Sequence, residues 1–227
     1  MSKRIETAGV IGAGVMGAAI AAHFANVGIK TVLLDIVPPE LTEEDKKKGY
    51  SEESKAFRNK FAENGVNLAL KSKPASFYVP ENAKLIRTGN TQDDMELLRD
   101  VDWIVEVVVE RLDIKQRVFE QIENIMSPET IVTSNTSGIP AGSMCEGRSE
   151  NFRKRFAITH FFNPPRYMKL LELVPGPDTD PEVIEILAEV CEIALGKGVV
   201  FAKDTPNFVA NRIGVFSMLQ VMRATVD

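Results

Sequence analysis

The sequence is poor in the residues that form disulfide frameworks and metal centres. It has two cysteines and two histidines in 227 residues, and Cys145 lies far from Cys191. Without a recurring spacing, these residues argue against a disulfide scaffold and against a metal site. We therefore expect no bound metal and a reducing, cytoplasmic location.

Long apolar runs and an excess of positive charge are also absent. No run reaches the roughly 20 apolar residues of a membrane span, and the apolar segment after residues 1–6 is too short for a signal peptide. The net charge of −5 argues against a nucleic-acid partner. Hydrophobic residues make up 44% of the chain, which is too many for a disordered protein. We therefore expect a globular protein that binds neither a membrane nor a nucleic acid.

Short β-branched runs alternate with longer helical stretches along most of the chain. Strands are predicted at residues 7–11, 31–35, 103–109 and 130–134. Helices are predicted at residues 15–27, ended by Gly28, and at 115–126. Continuous apolar strands separated by helices are typical of a parallel sheet covered on both faces. The expected fold class is α/β, Rossmann-like and doubly wound, with a mostly parallel sheet.

Residues 38–73 depart from this rhythm because they are dense in charge and have few large apolar groups. The pattern predicts a helical excursion after the second strand, with its main helix near residues 52–70. Such an excursion is either a solvated surface arm or an arm whose lysines face an anionic substrate.

The end of the sequence predicts one amphipathic helix over residues 207–226. Its apolar positions are Phe208, Ile213, Phe216, Leu219 and Met222. The pattern stops without a cap or a Gly/Pro signal, which suggests a chain cut from something longer. We expect a main domain over residues 1–205 and, over 206–227, the first helix of a truncated helical C-terminal domain.

A glycine-rich turn joins the first predicted strand to the first predicted helix. Gly12, Gly14 and Gly17 have the spacing G-x-G-x-x-G, with Val15 and Met16 between the last two. Gly12 permits the tight turn, Gly14 lets a pyrophosphate approach the backbone, and Gly17 lets the helix pack close to the strand. The helix N-terminus then offers free N–H groups to an anion.

An acid at the end of the second predicted strand specifies the nucleotide. Asp35 follows the glycine turn by about 20 residues, where a carboxylate can accept hydrogen bonds from both hydroxyls of an adenine ribose. It would repel a 2′-phosphate, and no arginine follows it directly, so NAD is expected rather than NADP. The alternative is that the glycines merely turn the chain and Asp35 merely ends a strand.

Two further segments predict an acid/base pair. If residues 156–162 and 168–174 form a hairpin centred on Arg166, His160 lies directly across from Glu172, with Cβ atoms about 4.5–5.5 Å apart. The carboxylate would then orient the imidazole and stabilise its protonated form. A purely structural buried pair is the alternative, and a one-residue slip would separate the two. His23, among alanines of the first helix, is interpreted as a packed histidine.

Through these residues, the sequence resembles the L-3-hydroxyacyl-CoA dehydrogenase family. The matching segments are residues 10–17, 109–112 with Lys115, 134–137, 160–164, 168–170 with Glu172, and 203–212. They follow the family's order over nearly the whole chain, and His-Phe-Phe-Asn-Pro at 160–164 is the most specific. The charged excursion looks most like the dehydrogenase part of a bacterial multifunctional fatty-acid oxidation protein.

The resemblance implies roles for the candidate catalytic residues. His160 would be the general acid/base and Glu172 its partner. Ser137 would bind the reacting oxygen near the nicotinamide, Asn211 would orient the oxygens of the acyl chain, and Asn163 would support the site. Ser137 could instead belong to a polar turn, and Asn211 could be an exposed helix residue.

The resemblance also implies cofactor and substrate contacts. Glu110 and Lys115 would contact the nicotinamide half of NAD, and Asn135 and Ser137 would also bind the cofactor. Lys71 and Lys73, at the end of the excursion, are candidates for contact with CoA. Glu110 could alternatively be part of a helix N-terminus.

The implied reaction is the reversible oxidation of L-3-hydroxyacyl-CoA to 3-oxoacyl-CoA with NAD, a step of fatty-acid beta-oxidation. In the family a helical C-terminal domain closes the substrate cleft and forms the homodimer, so this chain could bind NAD yet turn over poorly. One alternative is a 3-hydroxyacid dehydrogenase resembling phosphogluconate dehydrogenase, which uses a lysine as base. Another is an NAD-sensing module without catalysis.

Overall fold

A computed structural model describes residues 4–225 of the chain. Its strands are β1 (Thr7–Ile11), β2 (Lys30–Asp35), β3 (Ile86–Asn90), β4 (Trp103–Glu106), β5 (Ile131–Ser134), β6 (Phe156–Phe161), β7 (Leu170–Pro175) and β8 (Gly198–Phe201). Its α-helices are α1 (Val15–Asn26), α2 (Glu43–Lys47), α3 (Lys55–Arg58), α4 (Lys60–Lys71), α5 (Leu112–Ile125), α6 (Ala141–Met144), α7 (Glu150–Lys154), α8 (Pro181–Glu189) and α9 (Ala210–Ala224). A π-helical turn, Val190–Ala194, continues α8.

The strands form one sheet in the order β3-β2-β1-β4-β5-β6-β7-β8. Neighbours from β3 to β6 are parallel, whereas β7 runs antiparallel to β6 and parallel to β8. The first six strands have the order of a dinucleotide-binding doubly wound sheet. This confirms the expected α/β, Rossmann-like fold. The chain reverses direction across the sheet between β1 and β4, and ligands of such sheets bind there, beyond the carboxyl ends of the strands.

Two apolar clusters lie on opposite faces of the sheet. Phe24 of α1 packs against Trp103 of β4 with ring centroids 4.9 Å apart, in the cluster that also contains α8. On the other face, Phe119 of α5 packs edge-on against Phe156 of β6 at 5.2 Å. Because both faces are covered, the central strands β4, β5 and β6 are buried along their whole length rather than at alternate residues.

The predicted strand at 103–109 is wrong at its end, since β4 stops at Glu106. The apolar run continues, but the pairing with the neighbouring strands ends at Ile11 of β1 and at Ser134 of β5, followed by a backbone hydrogen bond from Val107 N–H to the carbonyl oxygen of Ile11 at 2.8 Å. The Glu106 side chain also accepts a hydrogen bond from the Val108 N–H at 2.6 Å, which turns the chain away from the sheet. Val109 is exposed.

The excursion after β2 is helical, as predicted, but its main helix begins at Lys60 rather than near residue 52. Asn59, with φ −94° and ψ 4°, separates α4 from the short α3. The excursion is not only a solvated arm, because α4 packs tightly on the glycine turn. A Cβ at Gly65 of α4 would lie 2.6 Å from the carbonyl oxygen of Ala13.

The last helix begins at Ala210, so the predicted start at residue 207 is wrong. Asn207 and Phe208 have φ of 64° and 45°, a left-handed conformation that cannot continue a helix. Phe208 precedes the helix and is buried, so it does not belong to the predicted apolar face of that helix. The predicted end at Val226 lies outside the described residues. Within 210–224 no side chain is buried.

Two features are absent from residues 4–225. None of the helices there has the length and apolar character needed to cross a bilayer. No group of three or more His, Cys, Asp or Glu side chains there is arranged to hold a metal ion.

Candidate active site

The glycine turn after β1 has the shape of an anion cradle. Gly12 has φ +103°, and a Cβ on it would lie 2.5 Å from the carbonyl oxygen of Val107. A Cβ on Gly17 would collide with the carbonyl oxygen of Gly12, whereas a Cβ on Gly14 would meet nothing within 4 Å. Gly14 is the N-cap of α1 and supplies no capping side chain, so N–H groups of the first turn are left for a ligand. Met16 is half-buried in this turn, and Val15 is exposed.

Asp35 contacts the glycine turn directly. Its Oδ2 accepts a hydrogen bond from the Ala13 N–H at 2.6 Å, and its Oδ1 accepts one from Ile36 N–H at 2.7 Å. A carboxylate has about four lone-pair positions, so these bonds leave capacity for ribose hydroxyls. The acid and the cradle are therefore brought together at the carboxyl ends of β1 and β2.

The hairpin of β6 and β7 has the predicted register, with His160 directly opposite Glu172. Nδ1 of His160 donates a hydrogen bond to Oε2 of Glu172 at 2.7 Å. Both side chains are buried, the histidine 5% and the glutamate 0% exposed. The imidazole packs against two aromatic rings, with its centroid 4.4 Å from that of Phe162 and 5.8 Å from that of Phe208. Because Nδ1 is bonded to the acid, Nε2 is the nitrogen that can exchange a proton with a ligand.

Glu172 also binds the start of α9, which the sequence did not indicate. Its second oxygen, Oε1, accepts hydrogen bonds from Val209 N–H at 2.9 Å and from Ala210 N–H at 2.7 Å. The acid thus uses one oxygen for the histidine and the other for the first free amides of a helix. Its rotamer is fixed from both sides.

The turn between β6 and β7 is held by two cations that sequence reasoning missed. Lys197 is buried and donates hydrogen bonds to the carbonyl oxygens of Pro165 and, at 3.0 Å, Met168. Burial lowers the pKa of this ammonium to about 8. On the outer side, Arg166 donates to the carbonyl oxygen of Phe77 at 2.6 Å. These bonds fix the turn that sets the register of the acid/base pair.

A network of charges lies at the ends of β4 and β5, with Glu106 and Lys115 buried and Glu110 exposed. Nζ of Lys115 is 2.8 Å from Oε1 of Glu106 and 3.4 Å from Oε2 of Glu110. Oε1 of Glu110 accepts hydrogen bonds from the Thr136 hydroxyl at 2.5 Å and from Ser137 N–H at 2.9 Å. Burial would raise the pKa of Glu110, but these bonds and the lysine charge hold it below its usual value.

This network changes how the predicted cofactor contacts are interpreted. The ammonium of Lys115 is 1% exposed and bound by protein carboxylates, so in this structure it braces Glu106 and Glu110. Its contact with the nicotinamide stays a prediction. Ser137 is exposed at the sheet edge, with its backbone positioned by Glu110. Sequence reasoning missed Glu106, although an acid within a buried apolar strand is itself a signal of a buried partner.

The other predicted site residues occupy the same side of the molecule or its border. Oδ1 of Asn135 accepts a hydrogen bond from Phe161 N–H at 2.8 Å and ties β5 to the end of β6. Asn211 is half-buried in the first turn of α9.

A cleft of about 550 Å³ lies between the glycine turn, α4 and the turn after β6. Gly14, Lys73 and Asn163 line it. Lys71, the last residue of α4, is exposed and is not among its lining residues. The structure thus brings one of the two candidate lysines next to the cradle.

Comparisons with known proteins identify the family of this chain. The family model described as "3-hydroxyacyl-CoA dehydrogenase, NAD binding domain" matches residues 7–205. A Bacillus subtilis (strain 168) protein named "Probable 3-hydroxyacyl-CoA dehydrogenase" is 49% identical over 219 residues, which are 96% of this chain and 28% of that protein. A Deinococcus radiodurans protein of the same name is 49% identical over 220 residues, 97% of this chain and 60% of that protein.

Solved structures show the same relationship. The crystal structure of 3-hydroxybutyryl-CoA dehydrogenase from Escherichia coli K12 superposes with a TM-score of 0.71 at 30% identity. The match covers 93% of this chain and 41% of that one. The chain therefore spans only part of the length of each of these relatives.

The matched region contains the glycine turn, Asp35 and both strands of the His160–Glu172 hairpin. The family and cofactor expected from the sequence are confirmed. This chain belongs to the 3-hydroxyacyl-CoA dehydrogenase family and carries its NAD-binding domain.

Proposed function

We propose that this chain supports the NAD-dependent oxidation of L-3-hydroxyacyl-CoA to 3-oxoacyl-CoA in fatty-acid beta-oxidation. The observation that carries the proposal is the buried His160–Glu172 pair, 2.7 Å apart. It lies at the same edge of the sheet as the dinucleotide cradle, because parallel strands share one carboxyl edge. A base with an orienting acid beside a nicotinamide site suits removal of a hydroxyl proton.

The residues present fit NAD. The space above Gly14 would be filled by any side chain, α1 presents free amides to a pyrophosphate, and Asp35 stands where it can bind a ribose. When bound, NAD supplies the hydride acceptor. The protein's part is to align the substrate carbon and to handle the proton.

The geometry of the His160–Glu172 pair indicates where the hydroxyl proton goes. Nε2 of His160 accepts the proton of the 3-hydroxyl, and Glu172, bonded to Nδ1, stabilises the resulting imidazolium. Phe162 and Phe208 flank the ring and limit its access to water. In this proposal Ser137 and Asn211 bind the reacting oxygen and the acyl oxygens, and Asn163 supports the site from the cleft.

We propose acyl-CoA as the substrate. The exposed ammonium of Lys73 at the cleft suits the phosphates of CoA, with Lys71 as a more distant contact. From the resemblance we also propose that the whole protein acts as a cytoplasmic homodimer. Two buried free thiols, Cys145 and Cys191, are compatible with a reducing compartment.

The test is consumption of NADH with acetoacetyl-CoA, measured by absorbance for this chain alone and for a chimera that continues into the remaining length of the Bacillus relative. We expect NADH to bind to both and to be consumed by at least one. Binding without consumption in either protein would instead support a non-catalytic NAD-sensing module. Activity on a 3-hydroxyacid but not on an acyl-CoA would support the phosphogluconate-type alternative.

A matched pair of glycine variants tests the cradle. Gly14→Ala should keep the melting temperature, because the added methyl meets no protein atom within 4 Å, but weaken NADH binding about tenfold or more by occupying the pyrophosphate position. Gly17→Ala should destabilise the fold by about 1–3 kcal/mol, because its methyl collides with backbone. Fluorescence titration with NADH and thermal melting measure the two effects. Wild-type NADH affinity in Gly14→Ala would place the pyrophosphate elsewhere.

A further inference from the structure

The backbone just before α9 adopts an unfavourable conformation. Asn207 and Phe208 have φ of 64° and 45°, and within residues 4–225 they are the non-glycine residues in the left-handed region. Asparagine tolerates this region, but a bulky aromatic residue rarely adopts it. Such a conformation persists only where the surrounding structure holds it, and it occurs preferentially at functional sites.

Both members of the acid/base pair contact this segment. It is also held by the apolar cluster in which Phe208 is buried and by a hydrogen bond from Phe208 N–H to the carbonyl oxygen of Thr205 at 3.0 Å. The Phe208 ring is 2% exposed and stands edge-on to the imidazole of His160, with 5.8 Å between centroids and 61° between planes. The next two amides, Val209 N–H and Ala210 N–H, both donate to Oε1 of Glu172. The left-handed turn is what aims ring and amides at the same pair.

We propose that Phe208 is a positioning residue that holds the imidazole of His160 in its working orientation. Phe162 limits the ring on one side and Phe208 on another, while the turn at Phe208 directs the first amides of α9 to Glu172. These amides hold the carboxylate in one rotamer. The first turn of α9 and the His160–Glu172 pair are therefore joined by direct contacts.

This arrangement links the substrate to the base. Asn211 lies in the same first turn of α9, one residue after Ala210. A ligand oxygen bound by Asn211 would act on His160 through the helix and Glu172. The effect on turnover rests on the proposed function, whereas the orientation of the imidazole does not.

The chain is well suited to a direct measurement because it has two histidines. In protein labelled with ¹⁵N-histidine, we expect the Nδ1–H proton of His160 to exchange slowly with water and its ring protons to show contacts with the Phe208 ring by nuclear Overhauser effect. His160→Gln identifies the signals. Absence of the Phe208 contact in the wild-type protein would overturn the proposal, and this measurement requires no Phe208 variant to fold.

Three variants separate positioning from packing. In Phe208→Leu the Nδ1–H signal should broaden or disappear and turnover should fall about tenfold or more, as for a slightly misplaced base, with the NADH dissociation constant unchanged within about twofold. Phe216→Leu, on the exposed face of α9, is the matched control and should change neither the Nδ1–H signal nor turnover. Asn207→Gly lowers the energetic cost of the left-handed backbone conformation and leaves His160 and Glu172 unchanged. This variant should keep the wild-type histidine signals and the wild-type turnover.

The outcomes are distinguishable. Wild-type histidine signals in folded Phe208→Leu would show that the ring fills space only and would overturn the proposal. If the wild-type protein has no dehydrogenase activity, the proposed function fails while the spectra still decide the role of Phe208.

Discussion

His160→Gln is expected to lower turnover by about a hundredfold to ten-thousandfold, the range that a general acid/base contributes. Glutamine keeps similar size and polarity but cannot take up a proton at Nε2. The cradle at Gly14 and Asp35 is built from other strands, so NADH affinity should change little. Steady-state rates with acetoacetyl-CoA and a fluorescence titration with NADH measure the two quantities on the same protein.

Glu172→Gln serves as the companion variant. It removes the charge that stabilises the imidazolium. It also replaces one of the two acceptor oxygens, which serve Nδ1–H of His160 and the first amides of α9, with an NH2 donor. We expect turnover to fall, because the tautomer that leaves Nε2 free to accept a proton is no longer favoured. If His160→Gln turned over at the wild-type rate, another group would be the base and the assignment would be wrong.

Lys115→Met is expected to lower the free energy of unfolding by about 3–5 kcal/mol, the cost of leaving a buried charge without its partner. Glu106 is 0% exposed and faces the lysine at 2.8 Å, so the carboxylate would remain in the core without a counter-ion. The variant should also loosen Glu110 and, through it, the backbone of Ser137. Urea denaturation followed by circular dichroism measures the change in stability.

Two control variants test whether this loss of stability comes from the buried charge. Lys154→Met removes an exposed pair of similar length, Lys154–Glu150 at 2.7 Å, and should change the free energy of unfolding little, because solvent screens this pair. Adding Glu106→Gln to Lys115→Met should recover part of the loss, because the uncompensated charge is then gone. A Lys115→Met loss no larger than that of Lys154→Met would show that the buried pair adds nothing to stability.

Local features of the chain were predictable because their causes are local. The glycine turn is specified by steric demands at Gly12 and Gly17, which act within a few residues. The alternation of strands and helices follows from side-chain periodicity. The opposition of His160 and Glu172 follows from counting residues across a short hairpin, since the period of two leaves one register that keeps both faces consistent.

Features set by distant neighbours were not predictable in this way. The end of β4 depends on where β1 and β5 stop, so an apolar run alone predicted a longer strand. The start of α9 depends on the burial of Phe208 and on Glu172, which no helical pattern records. The partners of Lys115 also come from its packing rather than from its place in a motif.

Sequence alone therefore predicted the class of fold, the glycine turn and the opposition of His160 and Glu172, because each depends on short-range geometry. The tertiary structure decided how that pair is held: by Lys197 at the turn, by the aromatic rings beside His160 and by the first amides of α9 on Glu172. Those contacts join residues far apart in the chain, and their formation depends on the packing of the whole domain.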